Sequence, residues 1–170
     1  DKTASKTLNR ATDTTRQPGS TFKILASYSA ALDAGGLTLA SVQDDAPYTY
    51  AGANGKSVSN YDKRYRGFTT LREAITDSIN IVTVKTLAQV GVSLGWQYVQ
   101  EYGFTTVDSR DMNEALALGG ITQGVSNLEL TAAYAAIANQ GTYIRPKFYT
   151  KILDHDGNVL IDNTTPESHT

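Results

Sequence analysis

Helix signals recur along most of this sequence, and they constrain its fold more than any other feature. The clearest is the capping box Ser126-Asn-Leu-Glu129, whose hydroxyl and carboxylate can each satisfy a free backbone N–H at a helix start. An alanine-rich run follows, and Gly141 is placed to end that helix. A second capping box, Thr70-Leu-Arg-Glu73, opens another helix. The chain is therefore predicted to be largely helical up to about residue 141.

Other segments extend this helical pattern. Residues Ser20 to Ala34 follow a Pro-Gly pair, carry apolar side chains at helical spacing and close at two glycines. Beyond Thr70 the helical pattern is interrupted at Ser78-Ile79-Asn80 and resumes until Gly91, so these three residues are predicted to lie at a break between two helices. Shorter helices are expected from Ser93 to near Gly103 and over 113–118.

The remaining sequence has a different character. Leu37 to Phe68 shows no sustained periodicity, which predicts a long ordered loop with short strands at most, and such loops usually form functional surfaces. Near the C-terminal end, two β-rich runs flank Asp154-His155-Asp156-Gly157, which predicts a hairpin over about 143–162. The expected fold class is α+β, with a helical part over about 18–141 and this hairpin.

Composition excludes several classes of function. The chain has no Cys, and its two His residues, His155 and His169, lie in a polar region, so thiolate nucleophiles, a buried Ser-His-Asp triad and a His-rich metal site are not expected. No cofactor or metal is predicted. The formal net charge is −2, without any block of like charges, which argues against nucleic-acid binding.

Membrane contact by this segment itself is also not expected. The longest apolar runs fall short of the roughly 18 residues that a spanning helix needs, so any membrane anchor would lie outside this sequence.

The tetrapeptide Ser20-Thr-Phe-Lys23 can carry nucleophilic chemistry. A Ser in the first turn of a helix and a Lys three residues later lie on one face, and a neutral amine there can accept the hydroxyl proton. Neutrality requires the lysine pKa to fall by about three units, which corresponds to about 4 kcal/mol. By itself, however, Ser-x-x-Lys is short enough to occur by chance, and Ser caps helices for purely structural reasons. Ser78-x-Asn80 has the same ambiguity.

Longer flanking sequences favour the catalytic interpretation. Three segments, NRATDTTRQPGSTFK, TTLREAITDSINIVTVKTLAQVG and LALGGITQGVSNLELTAAYAAIANQGTYIRP, resemble in order the transpeptidase domain of class A (bifunctional) penicillin-binding proteins. The resemblance covers Asn9 to about Pro146. It implies the fold shared by β-lactamases and D,D-peptidases, and it makes residues 1–170 part of one penicillin-binding transpeptidase domain.

The resemblance also implies roles for four residues. The Ser matching Ser20 is acylated by the D-Ala-D-Ala end of a peptidoglycan stem peptide, and the Lys matching Lys23 takes its proton. The Ser matching Ser78 relays a proton to the leaving amine, and the Asn matching Asn80 hydrogen-bonds the substrate amide. β-Lactam antibiotics acylate the same Ser. The implied location is the extracytoplasmic face of the bacterial cell membrane.

One family motif is missing from the sequence. The family's Lys-Thr-Gly or Lys-Ser-Gly strand does not occur, since Lys-Thr at Lys2, Lys6 and Lys85 is never followed by Gly. In the family that strand supplies an oxyanion-hole N–H, and losing one such donor costs about 3 to 4 kcal/mol in barrier height. We therefore expect the chain to be a fragment that is not competent by itself, with the missing strands supplied by the rest of a parent chain.

Two other interpretations remain open at this point. A serine β-lactamase or D,D-carboxypeptidase would share the Ser-x-x-Lys helix, but a β-lactamase would need a deacylating carboxylate, and spacing alone assigns that role to neither Glu114 nor Glu129. The third interpretation is a non-catalytic, β-lactam-sensing module.

Overall fold

Helices form most of the regular secondary structure in this protein, whose computed structural model describes residues 7–51 and 56–170. Short 3-10 turns and one π-helical turn connect or extend them. The α-helices are α1 (Ser29–Asp33), α2 (Leu71–Thr76), α3 (Asn80–Val90), α4 (Val92–Glu101) and α5 (Asn127–Ala138). The 3-10 turns are Gly19–Thr21, Ser109–Asp111 and Glu114–Leu118, and the π-helical turn is Ile24–Tyr28. No described helix has the length and apolar character needed to cross a membrane.

The strands are short, and all described pairs are antiparallel. They are β1 (Thr15–Arg16), β2 (Val42–Asp45), β3 (Tyr48–Thr49), β4 (Ser57–Val58), β5 (Gly67–Thr70), β6 (Val125–Ser126), β7 (Tyr143–Ile144), β8 (Lys151–Leu153), β9 (Val159–Asp162) and β10 (Ser168–His169). Within the described residues, β1 pairs with β6, β2 with β5, β3 with β4, β8 with β9, and β7 with β10. The segment from 37 to 68 is thus a loop with short strands, as predicted, although residues 52–55 lie outside the described part.

The helix boundaries follow the sequence signals. Both capping boxes are present: Thr70 accepts from the N–H of Glu73, and Ser126 accepts from the N–H of Glu129, while each Glu returns a bond to the cap backbone. α3 ends at Val90 and is capped by Gly91, which has φ +99°, and the predicted break lies between α2 and α3, where Asn80 already begins α3. These predictions are confirmed.

The segment that carries Ser20 is one continuous helical rod. It runs from the 3-10 turn through the π-helical turn into α1, close to the predicted span of Ser20 to Ala34. Its inner face supplies fully buried side chains, including Phe22, Leu25 and Ala26, to the main apolar core. α4 packs against this rod at Gly95, where a Cβ would collide with the Ala26 carbonyl oxygen. The rod is therefore the central element around which the other helices pack.

Two predictions near the C-terminal end need correction. The hairpin is formed by β8 and β9 around Asp154–Gly157, so it covers 151–162 rather than 143–162, because Tyr143 and Ile144 pair with β10 instead. α5 ends at Ala138, and Gln140 with φ +56° takes the left-handed position before Gly141. Gly141 therefore lies one residue beyond the left-handed position, and its N–H closes the turn on the Ala136 carbonyl oxygen at 2.9 Å.

Candidate active site

The turn that carries Ser20 is held in place by backbone contacts from a distant loop. Ser20 is the middle residue of the 3-10 turn, and Gly19 before it has φ +58°. Gly119 lies directly against Gly19, because a Cβ on Gly119 would come within 2.6 Å of the Gly19 carbonyl oxygen. The Gln17 side chain accepts from the Ile121 N–H at 3.0 Å and donates to its carbonyl. Ser20 itself is an exposed residue.

Lys23 lies beneath that surface, within the rod. Its side chain is only 3% exposed. The Lys23 ammonium nitrogen Nζ donates to the Ser78 carbonyl oxygen at 2.6 Å, to Ser78 Oγ at 2.8 Å and to Asn80 Oδ1 at 2.6 Å. Among the described residues, its hydrogen bonds thus go to Ser78 and Asn80 rather than to Ser20. Burial lowers the pKa of Lys23 from 10.5 to about 8.

The junction between α2 and α3 places Ser78 and Asn80 against Lys23. Ser78 has φ +52°, a left-handed conformation that is uncommon for residues other than Gly, and its carbonyl oxygen is bound by the buried amine. Ile79 is buried at 2% exposure and anchors the junction in a second apolar cluster with Leu71 and Val82. Asn80 is the first residue of α3. Strained backbone of this kind is typical of functional sites.

These elements meet at an open cleft of about 660 Å³. Its lining brings together three of the four predicted site residues, Ser20, Ser78 and Asn80, and Lys23 contacts two of them from below. Asp77 and Lys63 are charged residues of the same lining. The arrangement offers an exposed hydroxyl, a buried amine of lowered pKa and a side-chain amide within one site, which suits acyl transfer.

Sequence patterns did not indicate one further group of residues beside the cleft. Ser59 and Asn60 follow β4, in the segment predicted only as a loop, and the Ser59 carbonyl accepts a hydrogen bond from Asn80 Nδ2 at 2.9 Å. Asn60 is 3% exposed and bonds the fully buried Asp45. A polar residue in an irregular loop carries no periodic signal, so its burial could not be predicted.

The two carboxylates considered for deacylation serve the fold instead. Glu114 accepts from the Tyr48 hydroxyl at 2.9 Å and from the Ala51 N–H at 3.0 Å. Glu129 completes the α5 capping box and accepts from the Thr105 hydroxyl and N–H. Neither belongs to the lining of the cleft. Among the described residues, no group of three or more His, Cys, Asp or Glu side chains is arranged to hold a metal ion.

Comparisons with known proteins agree with this geometry. The model of the penicillin binding protein transpeptidase domain matches residues 1–170. Penicillin-binding protein 1F of Bacillus subtilis is 42% identical over 159 residues, which cover 94% of this chain and 21% of that protein. Penicillin-binding protein 1A of Neisseria meningitidis serogroup A is 40% identical over 157 residues, or 90% of this chain and 19% of the relative. The chain thus spans about a fifth of the length of these curated relatives.

Solved structures give the same result for the fold. The crystal structure of penicillin-binding protein 1A from Haemophilus influenzae superposes with a TM-score of 0.81 at 33% identity, covering 95% of this chain and 24% of that one. PonA1 from Mycobacterium tuberculosis, solved in complex with penicillin V, has a TM-score of 0.80 at 22% identity over 96% of this chain and 45% of its own, which supports the fold alone. The predicted α+β transpeptidase fold is confirmed.

The fold is that of the penicillin-binding protein transpeptidase domain. The chain belongs to the penicillin-binding protein transpeptidase family, among its class A members.

Proposed function

We propose that this chain carries the acylation half of a peptidoglycan D,D-transpeptidase site, with Ser20 as the nucleophile and Lys23 as its base. The observation that carries the proposal is the buried Lys23 amine, which contacts Ser78 and Asn80, while the exposed residue Ser20 lines the same cleft. At a pKa of about 8, about a tenth of this amine is neutral at pH 7, several hundred times more than for an ordinary lysine. A neutral amine is what proton abstraction from Ser20 requires.

In the acylation step, one covalent bond forms at the substrate carbonyl carbon and one breaks. Ser20 Oγ attacks the carbonyl carbon of the penultimate D-Ala of a stem peptide, and its proton passes to Lys23. The peptide C–N bond breaks, and the leaving D-Ala amine takes up a proton. An acceptor amine from a neighbouring stem peptide later attacks the ester carbonyl, which forms the cross-link and returns Ser20 to its free state.

The hydrogen bonds of Lys23 favour Ser78 as the proton relay. A neutral lysine has two N–H donors and one lone pair. The Ser78 carbonyl and Asn80 Oδ1 can only accept, so they take these two donors, and once Lys23 has taken up the Ser20 proton its third N–H is directed at Ser78 Oγ, 2.8 Å away. Ser78 can therefore pass a proton between Lys23 and the leaving amine. Asn80 Nδ2 uses one hydrogen on Ser59 and keeps a second for the substrate amide.

β-Lactams are proposed to acylate Ser20 by ring opening in the same way. Two structures of the same fold support this, since PonA1 is solved in complex with penicillin V and penicillin-binding protein A of M. tuberculosis as an imipenem acyl-enzyme complex, at 22% identity each. The engagement of Glu114 and Glu129 in the fold argues against a β-lactamase, which needs a free carboxylate for deacylation.

We propose that the 170-residue chain by itself has little transpeptidase activity. Its sequence has no Lys-Thr-Gly or Lys-Ser-Gly motif, so we propose that the second oxyanion donor and the cation for the substrate carboxylate come from elsewhere in a parent chain. That parent is proposed to act on the extracytoplasmic face of the bacterial membrane, anchored through a segment outside this sequence.

Intact-mass measurement after exposure to a penicillin tests the proposal. It is run on this chain, on Ser20→Ala and on a parent chain extended at both ends. A single penicilloyl adduct on the extended wild type, absent from its Ser20→Ala version and slow to form on the 170-residue chain, is expected. An adduct on the extended Ser20→Ala chain would overturn the assignment of Ser20, and fast stoichiometric labelling of the 170-residue chain would overturn the fragment proposal.

A further inference from the structure

A buried polar pair joins the wall of the cleft to the interior, since Asn60 belongs to the cleft lining and Asp45 lies beneath it. Asp45 ends β2 and is 0% exposed, and Asn60 is 3% exposed. The Asn60 amide nitrogen lies 2.8 Å from Asp45 Oδ1, 3.0 Å from Asp45 Oδ2 and 2.8 Å from the Arg64 carbonyl oxygen. Burial of an ionised carboxylate is costly unless it is paired, and here the Arg66 N–H at 2.9 Å and the Arg66 guanidinium at 3.8 Å supply compensation. The Asp45 carboxylate therefore fixes which end of the Asn60 amide carries the nitrogen.

The opposite end of the same amide holds the start of α3. Asn60 Oδ1 accepts from the N–H of Ile81 at 3.1 Å. This N–H belongs to the first turn of α3, where backbone donors have no partner within the helix. Asp45, Asn60 and Ile81 thus form one chain of bonds across three separate segments, and it is fully buried. A flipped Asn60 amide would face the Asp45 carboxylate with its own oxygen, so one orientation is strongly preferred.

This chain of bonds leads to the reactive groups through the neighbouring residue. Because Asn60 is fixed, the carbonyl of Ser59 is fixed as well, and it accepts from Asn80 Nδ2 at 2.9 Å. The Asn80 amide has one oxygen and one nitrogen, so a bond from its nitrogen to Ser59 turns its oxygen toward Lys23 Nζ, 2.6 Å away. The orientation of the Asn80 amide is therefore set by Ser59 and Asn60, on the wall of the cleft.

We infer that Asn60, locked by Asp45, is a positioning residue that orients the Asn80 amide and, through it, the Lys23 amine. The inference rests on the proposed function, because the amine matters only if Lys23 serves Ser20. Without Asn60, the segment 59–66 loses its buried bond to the Ile81 N–H at the start of α3, so the Ser59 carbonyl no longer holds the Asn80 amide in one orientation and water reaches the amine. The other charged groups at this cleft, Lys63 and Asp77, together with Arg66 that pairs with Asp77, keep their charges in such a variant.

Titration of Lys23 in the 170-residue chain tests this without any substrate. Lysines labelled with ¹³C at Cε are followed by NMR across pH, and the Lys23 signal is assigned by its loss in Lys23→Met. In Asn60→Ala, which removes no charge, we expect the Lys23 midpoint to rise by about one pH unit toward the ordinary value near 10.4. Asn60→Ser, a milder change that keeps a small polar group, should shift it in the same direction by less.

Asp111→Asn is the matched control. Asp111 is also a buried carboxylate, 1% exposed, but it binds the Thr122 N–H and hydroxyl in another loop. This change should lower the unfolding temperature and leave the Lys23 midpoint unchanged. A folded Asn60→Ala or Asn60→Ser chain in which Lys23 titrates as in the wild type would overturn the inference. An equal shift in Asp111→Asn would overturn it too, since general loosening would then explain both.

Failure of the proposed function gives a different result. If Lys23 shifts as expected but an extended Ser20→Ala chain is still acylated by penicillin, the positioning inference stands and the assignment of Ser20 falls.

Discussion

The backbone of Ser78 supports a prediction that links stability to the site. Ser78 has φ +52°, and residues with a Cβ pay roughly 1–2 kcal/mol for this left-handed conformation, which Gly adopts freely. The Ser78→Gly and Ser78→Ala variants both lose the hydroxyl that bonds Lys23, so their difference isolates the backbone. After allowing for the larger entropy of Gly in the unfolded chain, we expect Ser78→Gly to be more stable than Ser78→Ala by about 1 kcal/mol.

Urea denaturation followed by circular dichroism measures this difference on the 170-residue chain. For a chain of this size, about 1 kcal/mol corresponds to about 3 °C in unfolding temperature. Ala135→Gly is the control, because Ala135 is exposed within α5 and Gly in a helix costs about 1 kcal/mol. The order of Ala and Gly should therefore reverse between positions 78 and 135. A Ser78→Ala chain as stable as Ser78→Gly would refute the left-handed backbone at the site.

The same pair separates stability from chemistry. In a parent chain that is acylated by penicillin, both variants should lose about 10²-fold or more in acylation rate, because both lack the proposed relay hydroxyl. If Ser78→Gly were acylated faster than Ser78→Ala in proportion to its greater stability, the role proposed for the Ser78 hydroxyl would be contradicted.

Three further predictions concern the lysine and the fold. Between pH 8 and about 10.4, the wild type should gain up to about 3 kcal/mol of unfolding free energy relative to Lys23→Met. In this range the folded amine, with a pKa of about 8, is neutral, whereas the unfolded chain still binds the proton. Urea midpoints at pH 7 and pH 10 measure the difference. Gly95→Ala should cost about 1–3 kcal/mol in unfolding free energy, since the added Cβ collides with the Ala26 carbonyl oxygen. Thr70→Ala should cost about 1 kcal/mol through loss of the α2 cap, whereas Thr70→Ser should retain it, and thermal unfolding compares the two.

Each of these three predictions has a result that would contradict it. Parallel pH profiles of the wild type and Lys23→Met would show that Lys23 is solvated rather than buried. An unchanged urea midpoint for Gly95→Ala would contradict the close contact between α4 and the rod. Equal unfolding temperatures for Thr70→Ala and Thr70→Ser would mean that the α2 capping box contributes no stability.

Local sequence signals predicted the helices well, because capping residues satisfy the free backbone groups of a helix end within a few residues. The two capping boxes, the end of α3 at Gly91 and the break at Ser78–Asn80 are all where the sequence places them. Pairing between distant segments left no such signal. The sequence could not show that Tyr143 and Ile144 would pair with Ser168 and His169 rather than extend the hairpin.

The candidate site was likewise predicted only in part from the sequence. Ser20, Ser78 and Asn80 line one cleft, as the family resemblance implied, although each tripeptide or tetrapeptide alone was ambiguous. The bonds of Lys23 to Ser78 and Asn80 join residues more than fifty positions apart, so spacing could not predict them. The close contact of Gly119 with Gly19 joins two loops far apart in the sequence, so no local pattern could predict it.

The most direct test of the central claim is to locate the penicilloyl group by tandem mass spectrometry. The extended parent chain is exposed to penicillin, digested and sequenced through the peptide that contains Ser20 and Lys23. We predict a single ester-linked adduct on Ser20, formed more slowly when Lys23 is changed to Met. An adduct on Ser78, or one that is spread over several residues, would contradict the assignment of Ser20 as the nucleophile.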